Sequence, residues 1–300
     1  MKISLDWQKI GISVLFALLF SALAQAVTKT EEARFKIEKA LAQAGWKGGI
    51  EIKNIKTGEE ITIRGNEMFP MASVFKLPIA IAIYKNIEAG QLRHDQKVHL
   101  RKTDILAGLR GPVAKKYPEG NVDLTIDEFL KFMVSDSDNT ACDLLIKLAG
   151  GPSAITSTLR SLNIEGINVS RAEAEIIATS NEPGPNALDA ATPMAMARLY
   201  ERLHAGKILS PDSTAQLIKL MTKSNNPPHI PNGLPPHTVV AHKSGWCNHD
   251  LCVNDTALVT LPENKGAIVM AIFLYGKVDF EKGSATISEI ARSGYEALTR

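Results

Sequence analysis

Apolar positions recur along this chain in two rhythms, and they change places twice. Phe35, Ile37 and Leu41 follow Thr30-Glu31-Glu32 and precede Gly45, so an N-cap residue, first-turn acids and a closing glycine predict a helix. Alternation takes over at Ile50-Glu51-Ile52-Lys53-Asn54-Ile55, breaks at Lys56-Thr57-Gly58-Glu59 and resumes at Glu60-Ile61-Thr62-Ile63-Arg64, which predicts a β-hairpin. From about residue 70 to 220 the spacing is mostly helical, in segments such as Leu77 to Ile87, Thr125 to Val134, Thr140 to Leu148 and Thr192 to Leu203. A Pro/Gly/Asn-rich loop around Asn181 to Asn186 interrupts them. Strand patterns return at Thr238 to His242, Ala257 to Leu261 and, after the turn Pro262 to Gly266, Ala267 to Tyr275; a helix over about Lys282 to Leu298 closes the chain. The expected fold class is α+β, an α/β sandwich. A five-stranded antiparallel sheet takes two strands from the front and three from the back, flanked by N- and C-terminal helices, with an all-helical lobe between. In residue terms, 27–68 and 220–300 make the sheet domain, 69–219 the helical domain, and the active site is expected in the cleft between them.

The first 26 residues stand outside that scheme. Lys2 and Lys9 precede an apolar run from Ile10 to about Leu23, and Ala24-Gln25-Ala26 offers a small-residue cleavage site. This is the pattern of a secretory signal peptide cut after Ala26, and a run of about 14 apolar residues is short of the ~20 that span a bilayer. The expectation is a periplasmic protein with no membrane attachment after cleavage, in a compartment where disulfides are permitted. Charge and cysteine content narrow the class further. With 34 Lys+Arg against 32 Asp+Glu the chain has no basic footprint for nucleic acid, and three cysteines are too few for a disulfide framework.

Three short motifs carry chemistry. Ser73-Val74-Phe75-Lys76 puts a serine and a lysine on one face at the start of an apolar helix, where the amine can accept or depress the serine's proton. Alone it is weak: about one such spacing is expected by chance in a chain of this composition, and a capping serine with a surface lysine gives the same string. Ser137-Asp138-Asn139 lies between two helical segments, where it also reads as turn and N-cap vocabulary, and Lys243-Ser244-Gly245 ends an apolar strand. Together, in this order and at these separations, the chain resembles the class A serine β-lactamase family, within the penicillin-recognising serine acyltransferases, whose known signature is this motif set. Gly233-Leu234-Pro235 before Val239 to Gly245, and Arg171-Ala172-Glu173 followed by Asp189 to Pro193, extend the resemblance over the whole mature chain.

The resemblance implies a serine β-lactamase that opens β-lactam antibiotics through an acyl-enzyme on Ser73, with no cofactor and no metal, acting as a monomer. Lys76 is then the proton partner of Ser73, Ser137 relays a proton to the leaving nitrogen, and Glu173 activates the deacylating water. Asn139 binds the substrate amide. Lys243 and Ser244 receive its carboxylate, Gly245 also belongs to the substrate site, the backbone amides of Ser73 and Trp246 form the oxyanion hole, and Arg171 pairs with Asp189 at the neck of an Ω-loop. A D,D-peptidase, penicillin-binding protein or poorly turning-over sensor is the alternative.

Some positions depart from the family pattern. Ile177 stands where an Asn usually helps hold the water, with Asn181 as a substitute from a shifted register, and Glu175 rivals the favoured Glu173 as base. The family commonly has an Arg near the K-S-G strand for the substrate carboxylate; no Arg lies between Arg202 and Arg292, and His229, which falls where some members carry that Arg, is expected to lend charge, with affinity falling as pH rises through about 6.5; a surface histidine in a Pro-rich loop is the other reading. Cys247 and Cys252 are expected to form a disulfide at a hairpin tip; zinc binding with His242 and His249 is the less favoured use. Trp246 is either a wall against which substrate stacks or a packed aromatic. Cys142 reads as a buried helical thiol.

Overall fold

The computed structural model describes residues 29–106, 111–179, 188–247, 251–277 and 279–299. Residues 1–26, read above as an export signal, and Asn181 and His249 lie outside them. A first helix, α1, spans 29–44 and leads into β1 (Lys47–Asn54) and β2 (Glu60–Ile63). There follow β3 (Phe69–Pro70), α2 (Lys76–Glu88), β4 (Lys97–Leu100), α3 (Pro112–Lys116), β5 (Val122–Thr125), α4 (Ile126–Ser135) and α5 (Asn139–Leu148). Next come α6 (Pro152–Ser161), β6 (Ile167–Asn168), α7 (Glu173–Ala178), β7 (Ala190–Ala191), α8 (Pro193–His204) and α9 (Pro211–Thr222). The chain ends with β8 (Val239–Trp246), β9 (Cys252–Thr260), β10 (Ala267–Tyr275) and α10 (Phe280–Leu298).

The expected five-stranded antiparallel sheet is present, in the order β2-β1-β10-β9-β8. Its central strand reads AIVMAIFLY because both faces are covered. Ala267, Val269, Ala271 and Phe273 face a core shared with the middle helices, and Ile268, Met270, Ile272 and Leu274 face a second core. That second core is closed by Ala33, Ile37 and Leu41 of α1 and Ile287, Ile290 and Ala291 of α10. Burying such side chains on both faces contributes about 1.5–3 kcal/mol each before the entropy of ordering is subtracted. The helix α2 is apolar nearly all round, with Leu77 to Tyr84 buried, so it runs through the larger core rather than over its surface.

Two strands are longer than the pattern predicts. β8 continues past His242 through Lys243-Ser244-Gly245 to Trp246, and β9 begins at Cys252 rather than Ala257. The missed part of β9 holds Asn254, Asp255 and Thr256, polar residues that break an apolar run yet are fully buried. Each has a partner: Asn254 Nδ2 donates to Pro70 O (2.8 Å), Asp255 accepts from the Ile230 amide (2.9 Å), and Tyr200 OH donates to Thr256 O (3.0 Å). Buried polar groups so satisfied are compatible with a central strand. On the same face as Asn254 and Thr256, toward the β1 end of the sheet, Glu51 is buried with the Thr62 hydroxyl donating to it (2.8 Å), while its neighbour Lys53 pairs with Glu201 of α8 (3.0 Å) and Glu60 (3.8 Å).

Candidate active site

The three motifs meet. Ser73 sits in a 3₁₀ turn, Ala72–Phe75, that runs directly into α2 and so carries Lys76 one turn further on the same face. The turn starts with Ala72 at φ 46°, a left-handed conformation that costs a non-glycine residue about 1–2 kcal/mol and persists only where neighbours hold it. They do: Asn254 Nδ2 donates to both Pro70 O and Met71 O (2.8 and 3.1 Å), and the Met71 amide donates to Asp189 O (3.0 Å). Strand β8 passes so close that a Cβ on Gly245 would lie 2.8 Å from Met71 O and 2.8 Å from the Ser73 amide nitrogen. Glycine there lets the edge strand touch the nucleophile's turn.

Lys76 is wholly buried and is the hub of the site. Its Nζ donates to Ser73 Oγ (3.0 Å), Ser137 O (2.9 Å), Ser137 Oγ (3.4 Å) and Asn139 Oδ1, and pairs with Glu173 Oε1 (2.9 Å). Ser137 points there from a left-handed turn, φ 57°. Asp138, between Ser137 and Asn139, does take the capping role: its carboxylate accepts from the Ala141 amide (2.8 Å) and the Val113 amide (2.9 Å). Within this triplet Asp138 is thus the capping residue, and Ser137 and Asn139 face Lys76.

Glu173 opens α7 and is nearly buried. Asp143 of α5 accepts from the amides of Glu173 (2.6 Å) and Ala174 (3.0 Å), which fixes the start of α7; burial pushes the Asp143 carboxyl up, against those two hydrogen bonds. Glu175 is turned to another task, accepting from the Ala172 amide (3.0 Å), and is not beside Lys76. Arg171 and Asp189 are paired: Arg171 Nε donates to Asp189 Oδ2 (2.8 Å), while the Ser170 and Arg171 amides donate to Asp189 Oδ1 (2.7 and 3.1 Å).

Lys243 is also wholly buried, and its contacts are neutral: Ser137 Oγ (3.0 Å), Asn226 Oδ1 (3.2 Å) and Ser244 O (2.8 Å). Burial first, then the nearby Lys76 ammonium, hold its proton affinity well below the usual lysine range. Asn226 was not legible as a site residue; nothing in Ser224-Asn225-Asn226-Pro227 marks one asparagine out, and it is tertiary packing that sends its amide to Lys243, Val134 O and Ser135 O. Asp143 and Asn254 escape sequence reading for the same reason.

His229 does not meet the cleft surface, so the expected charge on the substrate carboxylate is corrected. The ring is 1% exposed, shares a hydrogen bond with Ser284 Oγ (2.7 Å), packs edge-on to Phe280, and is held below its ordinary pKa by burial. An imidazole buried away from the cleft surface does not reach a substrate carboxylate. Trp246 is 49% exposed with one edge on Phe280, half wall and half packed. Cys247 and Cys252 are joined in a disulfide, and Cys142 is a buried free thiol.

In chemical terms the site brings together a serine hydroxyl, an amine in contact with both it and a carboxylate, and a second buried amine. This class of site, a serine beside a lysine and a carboxylate, sits on a fold shared with proteins of known type. A profile of the beta-lactamase enzyme family matches residues 32–298, and the chain belongs to that family. It is 30% identical to Beta-lactamase VEB-1 of Pseudomonas aeruginosa over 91% of this chain and 93% of that protein. It is also 30% identical to Beta-lactamase CTX-M-97 of Escherichia coli over 89% and 90%. Among solved structures, a beta-lactamase from Chitinophaga pinensis superposes with a TM-score of 0.83 at 31% identity, covering 89% of this chain and 99% of that one. TLA-3 extended-spectrum beta-lactamase gives 0.84 at 27% identity, over 90% and 100%.

Proposed function

We propose that the protein is a hydrolase of β-lactam antibiotics that works through an acyl-enzyme on Ser73. One observation carries the mechanism: Lys76 Nζ touches Ser73 Oγ, Ser137 Oγ and Glu173 Oε1 at once. Ser73 Oγ attacks the lactam carbonyl carbon and its proton passes to the Lys76–Glu173 pair. The C–N bond breaks, and the nitrogen takes a proton through Ser137, which Lys243 also contacts. Glu173 then accepts a proton from water, which attacks the ester and returns the Ser73 hydroxyl.

The amides of Ser73 and Trp246 supply the oxyanion hole in this reading, and removing such a donor typically costs 10²–10³ in rate. Asn139, Ser244 and Gly245 line the substrate site with Lys243. The catalytic cleft separates a sheet unit, 27–68 with 220–300, from a helical unit, 69–219. Residues 1–26 are its export signal, giving a periplasmic monomer. Among the described residues no helix is long and apolar enough to cross a membrane.

A time course tests this. Mature protein mixed with excess chromogenic cephalosporin should release product linearly far beyond one equivalent per site. A burst that stops near one equivalent moves the reading to a penicillin-binding protein or sensor.

A further inference from the structure

The two buried lysines of the cleft are not treated alike. Lys76 has a carboxylate in contact, whereas every atom touching Lys243 belongs to a neutral hydroxyl, amide or carbonyl. An ammonium with no exposure and no ion partner among the described residues is costly, and an opposite charge nearby offsets part of that cost. One lies behind the strand. Asp255 is Cα partner to Ser244 in the β8–β9 ladder and is fully buried. Its Oδ2 accepts from the Ile230 amide (2.9 Å) and its Oδ1 shares a hydrogen bond with His242 Nδ1 (3.1 Å). His242 and Ser244 flank Lys243 and point to the α10 side of the sheet, where His229 and Ser284 also pack.

We propose that Asp255 is a positioning residue whose carboxylate, gripped between His242 and the Ile230 amide, supplies through strand β8 the counter-charge for Lys243 until a substrate carboxylate arrives. The inference rests on the function proposed above and extends it to a residue that no substrate touches. The ionisable groups that act on Lys243 are Lys76 of α2, Glu173 of α7, Cys142 of α5 and Asp255 of β9; the first lowers its proton affinity and the others raise it. Those around Asp255 are His242 of β8, His229 and the Tyr200 phenol of α8, whose proton affinity Asp255 helps to raise. Asp255 is thus a source of negative field on both faces of the sheet. Its placement suits the chemistry: a counter-ion in direct contact would compete with an anionic substrate, whereas one behind the backbone steadies the ammonium without touching it.

The test is the pH dependence of kcat/KM for a penicillin, in wild type and Asp255→Asn. The amide keeps the carboxylate's shape and its oxygen still accepts from Ile230, while its NH2 group meets His242 Nδ1, so the charge is removed and the His242 contact changes with it. The alkaline limb should move to lower pH by about one unit, a tenfold loss at the alkaline end, with the neutral plateau much less affected. A uniform fall across the profile with the limb unmoved would mean a structural role and overturn the proposal, as would no change. Carboxyl-labelled aspartate NMR on the wild type gives a second reading that needs neither turnover nor a folded variant: Asp255 should be ionised at neutral pH, and a protonated Asp255 sinks the idea. Should the wild type fail to hydrolyse any β-lactam, the proposed function falls, and this spectrum still decides the counter-charge.

Discussion

Two buried carboxylates lie on the same side of the sheet in opposite circumstances. Glu173 meets the Lys76 ammonium at 2.9 Å in the cleft, whereas Glu51, on β1, has one hydroxyl for company and its carboxyl is pushed up to about 7 by burial, the Thr62 hydrogen bond opposing. Burial by itself therefore does not make a functional acid. What separates them is the partner: a carboxylate tied to an amine that also holds a nucleophile can move protons, and one facing a threonine stores only a pH-dependent cost.

The sharpest way to break the comparison is to remove the nucleophile. Ser73→Ala should lower kcat/KM by on the order of 10⁵-fold with little change in the melting temperature, read by steady-state kinetics and calorimetry on the same samples. Next comes Glu173→Gln, which should slow deacylation by roughly 10²–10⁴-fold and leave an acyl-enzyme visible as a mass increase on the intact protein. A variant that turns over normally without accumulating that adduct would dismiss Glu173 as the base. Glu51→Gln should do the reverse, leaving kinetics untouched and changing stability. The folded-state pKa is raised above 4.5, so the native protein binds the extra proton and wild-type stability is lost as pH rises from about 4.5 through 7. The glutamine variant should gain up to about 3 kcal/mol near pH 9 and nothing near pH 4, measured by denaturant unfolding at both. Smallest is the joint replacement of Cys247 and Cys252 by serine, which opens a short loop and should cost about 2 kcal/mol, seen as a lower thermal midpoint.

Much of this was legible in the sequence, for identifiable reasons. Local patterns report their own neighbours: β10 is a continuous apolar run, Thr125 and Thr192 stand as N-caps before apolar spacing, and the serine and lysine of α2 are one turn apart. What stayed hidden depends on contacts made at long range. The apolar strand pattern begins only at Ala257 and leaves out Asn254 to Thr256, because their partners are Pro70, Ile230 and Tyr200, far away in the chain. His229 was read as a charge donor because its position relative to the K-S-G strand was visible and its burial against Phe280 and Ser284 was not. The short pairings β3-β7-β6 and β4-β5 involve two to four residues per strand, too few to show an alternation.

The order of strands in the main sheet has a bearing on how the chain is made. β10, near the C-terminal end, lies between β1 and β9, so the first hairpin has no neighbour in the sheet until almost all of the protein has been synthesised. Sequence-distant pairings of this kind close slowly. A ribosome that stops before Ala267 would release a polypeptide with two half-sheets and no seam to join them, its open hydrogen-bonding edges free to pair with other chains. Premature termination late in the message should thus yield aggregates rather than a weakened enzyme.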